Sequence, residues 1–213
     1  MKTILKNIAL LLLVSYTLNL KAQTFEENLT SAFAKFDSAK TIAEMMPASS
    51  MFDIIANQNS GQWAANYYAA YAKAVISFIE PDVKKKELLI DEAEKYFSKI
   101  NTILPDSSEK YVLAALIVNA RISVDGRNRG SQYGQVLEQN LKKAKAINPN
   151  NPRIYYLKGT SLFYTPKLFG GGKNKAKEYF DRATPLFEAQ KGNSILMPYW
   201  GKKQNVTYLN QCK

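Results

Sequence analysis

Catalysis and metal binding need side chains that titrate, coordinate or attack, and this chain has few of them. It contains no histidine and a single cysteine, Cys212, the next-to-last residue. Histidine-assisted serine or cysteine nucleophiles, histidine metal sites and a histidine pH switch are thereby excluded. A lone cysteine closes no internal disulfide. The carboxylates add little. Glu26/Glu27 and Asp91/Glu92/Glu94 fall within helical sequence among lysines, and residues one or two apart on a helix do not face each other. Nothing resembles the two carboxylates from separate elements that glycoside hydrolysis requires, or the ligand clusters of a metal site. The expectation is a protein without catalytic residues, metal or cofactor.

Two segments invite an anion. Gly170-Gly171-Gly172-Lys173 has the glycines and lysine of a phosphate loop. It lacks that motif's first glycine, carries Asn174 where serine or threonine belongs, and follows a helix instead of a strand. A hairpin turn is the better reading, with Phe169 tucked back into the fold. In the second segment, Asp125 and Arg129 are spaced to pair across the loop 125–131, leaving Arg127 exposed. An arginine-bearing loop can grip carboxylate or phosphate, but an ion pair that fixes the loop is the plainer expectation.

The elements around these residues are helical. Trp63, Tyr111 and Tyr155 each open an apolar stretch. Each is followed by an apolar triplet at spacing four and three: Ala93/Phe97/Ile100, Leu137/Leu141/Ala144 and Ala176/Phe180/Ala183. Corresponding triplet residues recur after 44 and then 39 positions, and Pro105 and Pro149 close the first two units. Such periodicity predicts stacked helical hairpins, each burying its apolar face on its neighbour. Thr24 with Glu27, Asp82, Asp106 with Glu109, and Asn151 before Pro152 mark helix starts. The predicted helices run from Phe25 to Ala39, Met51 to Ala56, Trp63 to Phe78, Asp82 to Leu104, Tyr111 to Val124, Tyr133 to Ile147, Tyr155 to Tyr164, Lys173 to Phe187 and Pro198 to Gln211. No alternating strand is seen, so the chain reads all-α. Trp63, Phe97, Phe180 and Trp200 are expected in the core.

Lys2, Lys6, the apolar run Ile8 to Tyr16, and Leu20 with Ala22 before Gln23 form the pattern of an export signal. The expected organisation is a signal peptide over 1–22 and one helical-repeat domain over 23–213. No cysteine stands at the cleavage point to carry a lipid, and no later stretch is apolar enough to span a bilayer. The signal holds three lysines and no acids, so its removal lowers the formal charge from +11 to +8. The lysines at 84–86, 142–143 and 173–177 read as solvated helix faces. No nucleic-acid partner is expected; a polysaccharide or lipopolysaccharide surface fits the charge better.

The repeat resembles the tetratricopeptide family. Its small residue four places after the opening aromatic is Ala115 after Tyr111 and Gly159 after Tyr155, while Tyr67 after Trp63 departs from the pattern. Asn148-Pro149-Asn150-Asn151-Pro152 matches the family's turn between repeats. Seen whole, the chain is similar to exported tetratricopeptide-like proteins of Bacteroidetes-type bacteria, a group of unassigned activity. Ile122-Ser123-Val124-Asp125, Arg129-Gly130, Thr165-Pro166 with Phe169 to Gly172, and Trp200-Gly201 carry that likeness. The resemblance implies an α-α superhelix of about three hairpins with capping helices, its opening helices lining a concave groove. On that face helical spacing sets Tyr68, Tyr71, Asn119, Arg153, Tyr156, Thr160 and Tyr164. Rings supply contact area, the amide bonds a backbone and arginine takes a carboxylate. The implied function is a non-catalytic scaffold holding a protein or peptide in this groove. The alternative is a small-ligand-binding accessory of an envelope transport system, its pocket closed by the long loops and Gly170 to Gly172. An open polar-aromatic groove favours the first, a deep apolar pocket the second; a purely structural role needs neither.

Overall fold

The computed structural model describes residues 24–104, 106–190 and 194–213. The expected signal over 1–22 and the repeat-closing Pro105 lie outside the described residues. Among the described residues there are nine α-helices and no strand. They are α1 (Phe25–Ser38), α2 (Ile42–Gln58), α3 (Trp63–Ile79), α4 (Val83–Ile103), α5 (Ser108–Val124), α6 (Gly126–Ile147), α7 (Pro152–Tyr164), α8 (Lys173–Glu188) and α9 (Lys202–Gln211). A short 3-10 turn, Lys167–Phe169, lies between α7 and α8. Helices α3 and α4, α5 and α6, and α7 and α8 pair as hairpins. The opening helices α3, α5 and α7 also pack in series, so the hairpins stack as an all-α superhelix. Helices α1 and α2 cover one end and α9 packs on α8 at the other.

Local chemistry sets most helix starts. The Thr24 hydroxyl accepts from the Glu27 N–H while the Glu27 carboxylate accepts from the Thr24 N–H, a reciprocal cap. Asp82 caps α4, and Asn151 caps α7 with Pro152 in the first turn. Elsewhere the structure departs from the sequence reading. Ser107, not Asp106, caps α5, which frees Glu109 for a tertiary role. Asp106 instead meets Lys110 and Tyr111. The expected loop 125–131 is helix: Asp125 ends α5 and caps α6, its carboxylate accepting from the Asn128 N–H. Helix α2 begins nine residues earlier than expected, capped by Thr41, and α9 begins after Gly201 instead of at Pro198.

Packing follows the repeat. Eight of the nine triplet residues are buried; Phe97 is half-exposed. Trp63 is likewise only partly buried. The small position of the third unit has a direct cause. A Cβ on Gly159 would stand 2.5 Å from Phe180 Cε1. Phe180 is fully buried and stacks on Tyr208 of α9 with ring centroids 5.5 Å apart. The ring therefore cannot retreat without moving α9.

The three acids at 87, 91 and 94 share one face of α4 because their spacing is four and three. They converge on Arg121 of α5: Glu94 takes the guanidinium through two 2.9 Å bonds, and Asp91 and Glu87 accept beside it. Arg129 of α6 joins through Glu87 and the Arg121 carbonyl. The expected Asp125–Arg129 pair thus gives way to a three-helix network. Hydrogen bonding from Arg129, with Arg121 beside it, holds the Glu87 carboxyl below its ordinary value.

Two outcomes follow. Gly159→Ala forces its methyl into Phe180 and lowers stability by about 1–3 kcal/mol in urea titration, the cost of overpacking; unchanged stability refutes the contact. Glu87 has its pKa depressed on folding, so its contribution is complete above the ordinary value of 4.5 and drains away as pH falls through the folded value. Glu87→Gln should flatten the acid limb of a stability–pH curve below that pH; an unaltered limb counts against the network.

Candidate functional site

Helices α3, α5 and α7 bring their N-terminal turns side by side, and a buried ion pair joins them. Arg153, the second residue of α7, is 1% exposed. Its guanidinium donates to Glu109, the second residue of α5, with the shortest bond at 2.8 Å. Asn151 donates to the same carboxylate at 2.7 Å, and the Tyr67 hydroxyl of α3 donates to it at 3.1 Å. Burial works against the charge on Arg153, but the Glu109 carboxylate and its hydrogen bonds hold the guanidinium above its ordinary pKa.

The rest of the Arg153 fork is taken by the chain itself. It donates to the carbonyls of Pro198 and Trp200 and to the Gln190 side chain. The Trp200 ring lies against Tyr71 of α3 and Tyr156 of α7, with its Nε1–H donating to the Tyr67 hydroxyl at 3.0 Å. Tyr199 packs edge-on to Phe33 of α1 at 4.9 Å. The segment 198–200 therefore crosses the N-terminal half of the face made by the opening helices. Gly201, with φ of 102°, then turns the chain into α9.

The seven residues expected on the concave face divide in two. Tyr68, Tyr71, Arg153 and Tyr156 are buried. Tyr71, Arg153 and Tyr156 surround Trp200, while Tyr68 stacks on Phe52 and its hydroxyl is buried without a hydrogen-bond partner. Asn119, Thr160 and Tyr164 remain accessible towards the C-terminal ends of α5 and α7. Asn119 donates to the Leu157 carbonyl of α7, linking the two helices. Tyr164 is 71% exposed and shares a 3.0 Å hydrogen bond with the Tyr208 hydroxyl of α9. Phe163, Tyr164, Tyr208, Phe180 and Tyr156 form one connected set of rings with centroids 5.2–6.4 Å apart. Burial, then the bond to Tyr164, pushes the Tyr208 phenol well above its ordinary pKa, so it stays protonated.

Two further concavities lie among the described residues. A cleft of about 320 Å³ lies beside the C-terminal segment, between Phe33, Asp37, Phe187, Trp200 and Lys203. A groove of about 340 Å³ runs over α5 between α4 and α6, walled by Phe97, Ile117 and Val118 with Asn101 and Asn140 at its edge. Among the described residues no group of three or more histidine, cysteine, aspartate or glutamate side chains could hold a metal. None of the described helices is long and apolar enough to cross a membrane.

No family model matches this chain, and no curated protein does. A solved structure does: the HusA haemophore from Porphyromonas gingivalis is 31% identical, with a TM-score of 0.78 over 91% of this chain and 94% of that one. The chain belongs to the family of that haemophore.

Sequence reasoning missed Glu109, Tyr67 and Trp200 as one site because each carried a plainer explanation: a cap, a poor repeat match and a core aromatic. Tyr208 gave no signal of its own, since its ring reaches the site only once α9 folds back on α8. Breaking the central pair checks this geometry. Glu109→Gln leaves a buried guanidinium without its counter-charge and should cost about 3–5 kcal/mol in thermal or urea unfolding. A loss under about 1 kcal/mol means that Arg153 finds water instead, and that the segment 198–200 is not held as described.

Proposed function

We propose that this chain is an exported, non-catalytic carrier that binds haem-type tetrapyrroles by their ring. The observation that carries the reading is the aromatic cluster at the open half of the inner face. Tyr164 stands largely exposed there, braced by Tyr208 and Phe163, with Thr160 about one turn before it on α7 and Asn119 bonded further back, at the Leu157 carbonyl. A planar apolar ligand suits such a platform: the rings give contact area at low entropic cost, and the hydroxyls and amide serve polar edges. Membership of a haemophore's family supports the same ligand class, and an export signal over 1–22 fits a carrier that works outside the cytoplasm.

The binding is to the macrocycle more than to iron. The chain offers no imidazole. Cys212 is buried and its thiol is pushed above its ordinary pKa by burial. The Tyr164 and Tyr208 hydroxyls bond each other, and Tyr208 keeps its proton. A small ligand is favoured over a captured peptide because residues 198–200 already fill the half-groove that a peptide would take.

Absorbance titration of the mature protein tests this. Iron protoporphyrin and metal-free protoporphyrin should bind with affinities within about tenfold of each other. Tyr164→Ala should weaken both by about fivefold or more, the worth of one stacked aromatic, while Phe97→Ala in the α4–α6 groove leaves both unchanged. Binding of the iron form alone refutes recognition by the ring. Loss on Phe97→Ala, with Tyr164→Ala silent, places the ligand in the other groove and refutes the aromatic platform.

A further inference from the structure

The turn between α7 and α8 presents two large apolar side chains to solvent. Leu168 is 88% exposed and Phe169 is 76% exposed. This overturns the expectation that Phe169 tucks back into the fold, and floppiness does not account for it. The turn is closed by its own backbone: Phe169 and Gly171 N–H donate to the Pro166 carbonyl, Gly170 N–H to Lys167 and Gly172 N–H to Leu162. Gly170 at φ 83° and Gly172 at φ 107° take conformations that other residues resist. Gly171 is pressed onto Thr165, where a Cβ would meet its carbonyl oxygen at 2.2 Å. The backbone thus devotes three glycines to a fixed shape that points leucine and phenylalanine outward.

The segment around this tip carries charge of one sign. From Tyr164 to Lys177 the chain carries Lys167, Lys173, Lys175 and Lys177 and no acid. Lys167, Lys173 and Lys175 are exposed. A Cβ built on Gly172 would stand 2.9 Å from Lys167 Cγ, and one on Gly170 would stand 3.9 Å from Lys175 Nζ, so both lysines flank the tip. Lys177 pairs with Asp181 at 2.7 Å and Lys173 lies over the Phe163 ring; among the described residues Lys167, Lys173 and Lys175 form no ion pair. Adjacent exposed apolar side chains ringed by cations match the chemistry of an anionic lipid surface, where the chains enter the headgroup boundary and the ammonium groups meet phosphate.

We propose that the 166–173 turn docks this protein on anionic bilayers, with Leu168 and Phe169 as the inserted pair and Lys167, Lys173 and Lys175 as the electrostatic ring. The docking does not depend on the tetrapyrrole reading. It would set the accessible Tyr164 end of the inner face close to the membrane plane.

Vesicle co-sedimentation of the mature chain tests the proposal. Vesicles of phosphatidylcholine with about 30% phosphatidylglycerol should bind it, and pure phosphatidylcholine vesicles should not. Leu168→Ser/Phe169→Ser should reduce partitioning about tenfold or more. Lys167→Gln and Lys175→Gln should each cost about fivefold, and raised salt should weaken the wild type. Phe169→Trp should show a blue-shifted emission with the anionic vesicles only. Circular dichroism of each variant checks folding, and porphyrin titration of the serine variant keeps this result separate from the cargo reading. Equal binding to both vesicle types, retention by the serine variant, or an unshifted emission from the Phe169→Trp variant overturns the proposal. Binding through this turn to a protein in the same membrane fraction, with no affinity for the protein-free vesicles, overturns it too.

Discussion

A buried guanidinium decides the shape of the inner face. Arg153 sits in the first turn of α7, where the helix dipole disfavours a cation. It is also removed from water, and an uncompensated buried charge costs several kcal/mol. Glu109 answers both penalties. It lies in the first turn of α5, where the dipole favours an anion, and it meets Arg153 through three hydrogen bonds. One carboxylate cannot satisfy a whole guanidinium fork. The Pro198 and Trp200 carbonyls and the Gln190 side chain take the remaining donors, so the arginine that aligns α5 and α7 also draws the C-terminal segment onto them. The Trp200 indole then closes the circuit through Tyr67 to Glu109. Removing Arg153 or Glu109 leaves the other's charge buried without its counter-ion, which ties the helix stack and its C-terminal cover into one unit.

The inner face consequently has two ends with different properties. Arg153 and Tyr164 lie on the same helix, eleven residues and about 16 Å apart. At the first end the side chains are consumed by packing. At the second the helices run past the cover, and tyrosine, threonine and asparagine stay accessible. Because α3, α5 and α7 pack side by side in the same sense, position along a helix decides whether a polar or aromatic residue serves the fold or faces solvent. Membership of a face does not decide it.

That distinction marks what the sequence could reveal. The triplets at 93/97/100, 137/141/144 and 176/180/183 exposed the hairpins because burial on a helix leaves a fixed spacing. The Asn151–Pro152 start was legible for a similar reason, since its chemistry is local. Asp106 with Glu109 looked like a cap by the same local rule and was not one; Ser107 competed for the position, and Glu109 is worth more against Arg153. The loop read from Asp125 to Ser131 is helical although it contains two glycines, because Asp125 caps it and Arg129 is anchored on α4. Tertiary partners overrode composition there. Tyr71, Arg153 and Tyr156 meet around Trp200 instead of lining an open groove, and nothing in helical spacing tells that a tryptophan 44 residues after Tyr156 will cover them.

On the carrier reading proposed above, holding a ligand and giving it up make opposite demands, and the rigidity of the open end would serve both. The Tyr164–Tyr208 hydrogen bond and the stacked Phe180–Tyr208 pair fix the rings before any ligand arrives, so little ordering entropy is lost on binding. Preorganised stacking of this kind gains affinity without a coordinate bond. In that reading no such bond forms, so release would need only the separation of two apolar surfaces. The same economy runs through the turn that follows α7. Its backbone is closed by hydrogen bonds before Leu168 and Phe169 meet anything, so burying them incurs little conformational loss. Both surfaces depend on α7 holding its place in the stack, and that place is set by the Arg153–Glu109 pair at its other end.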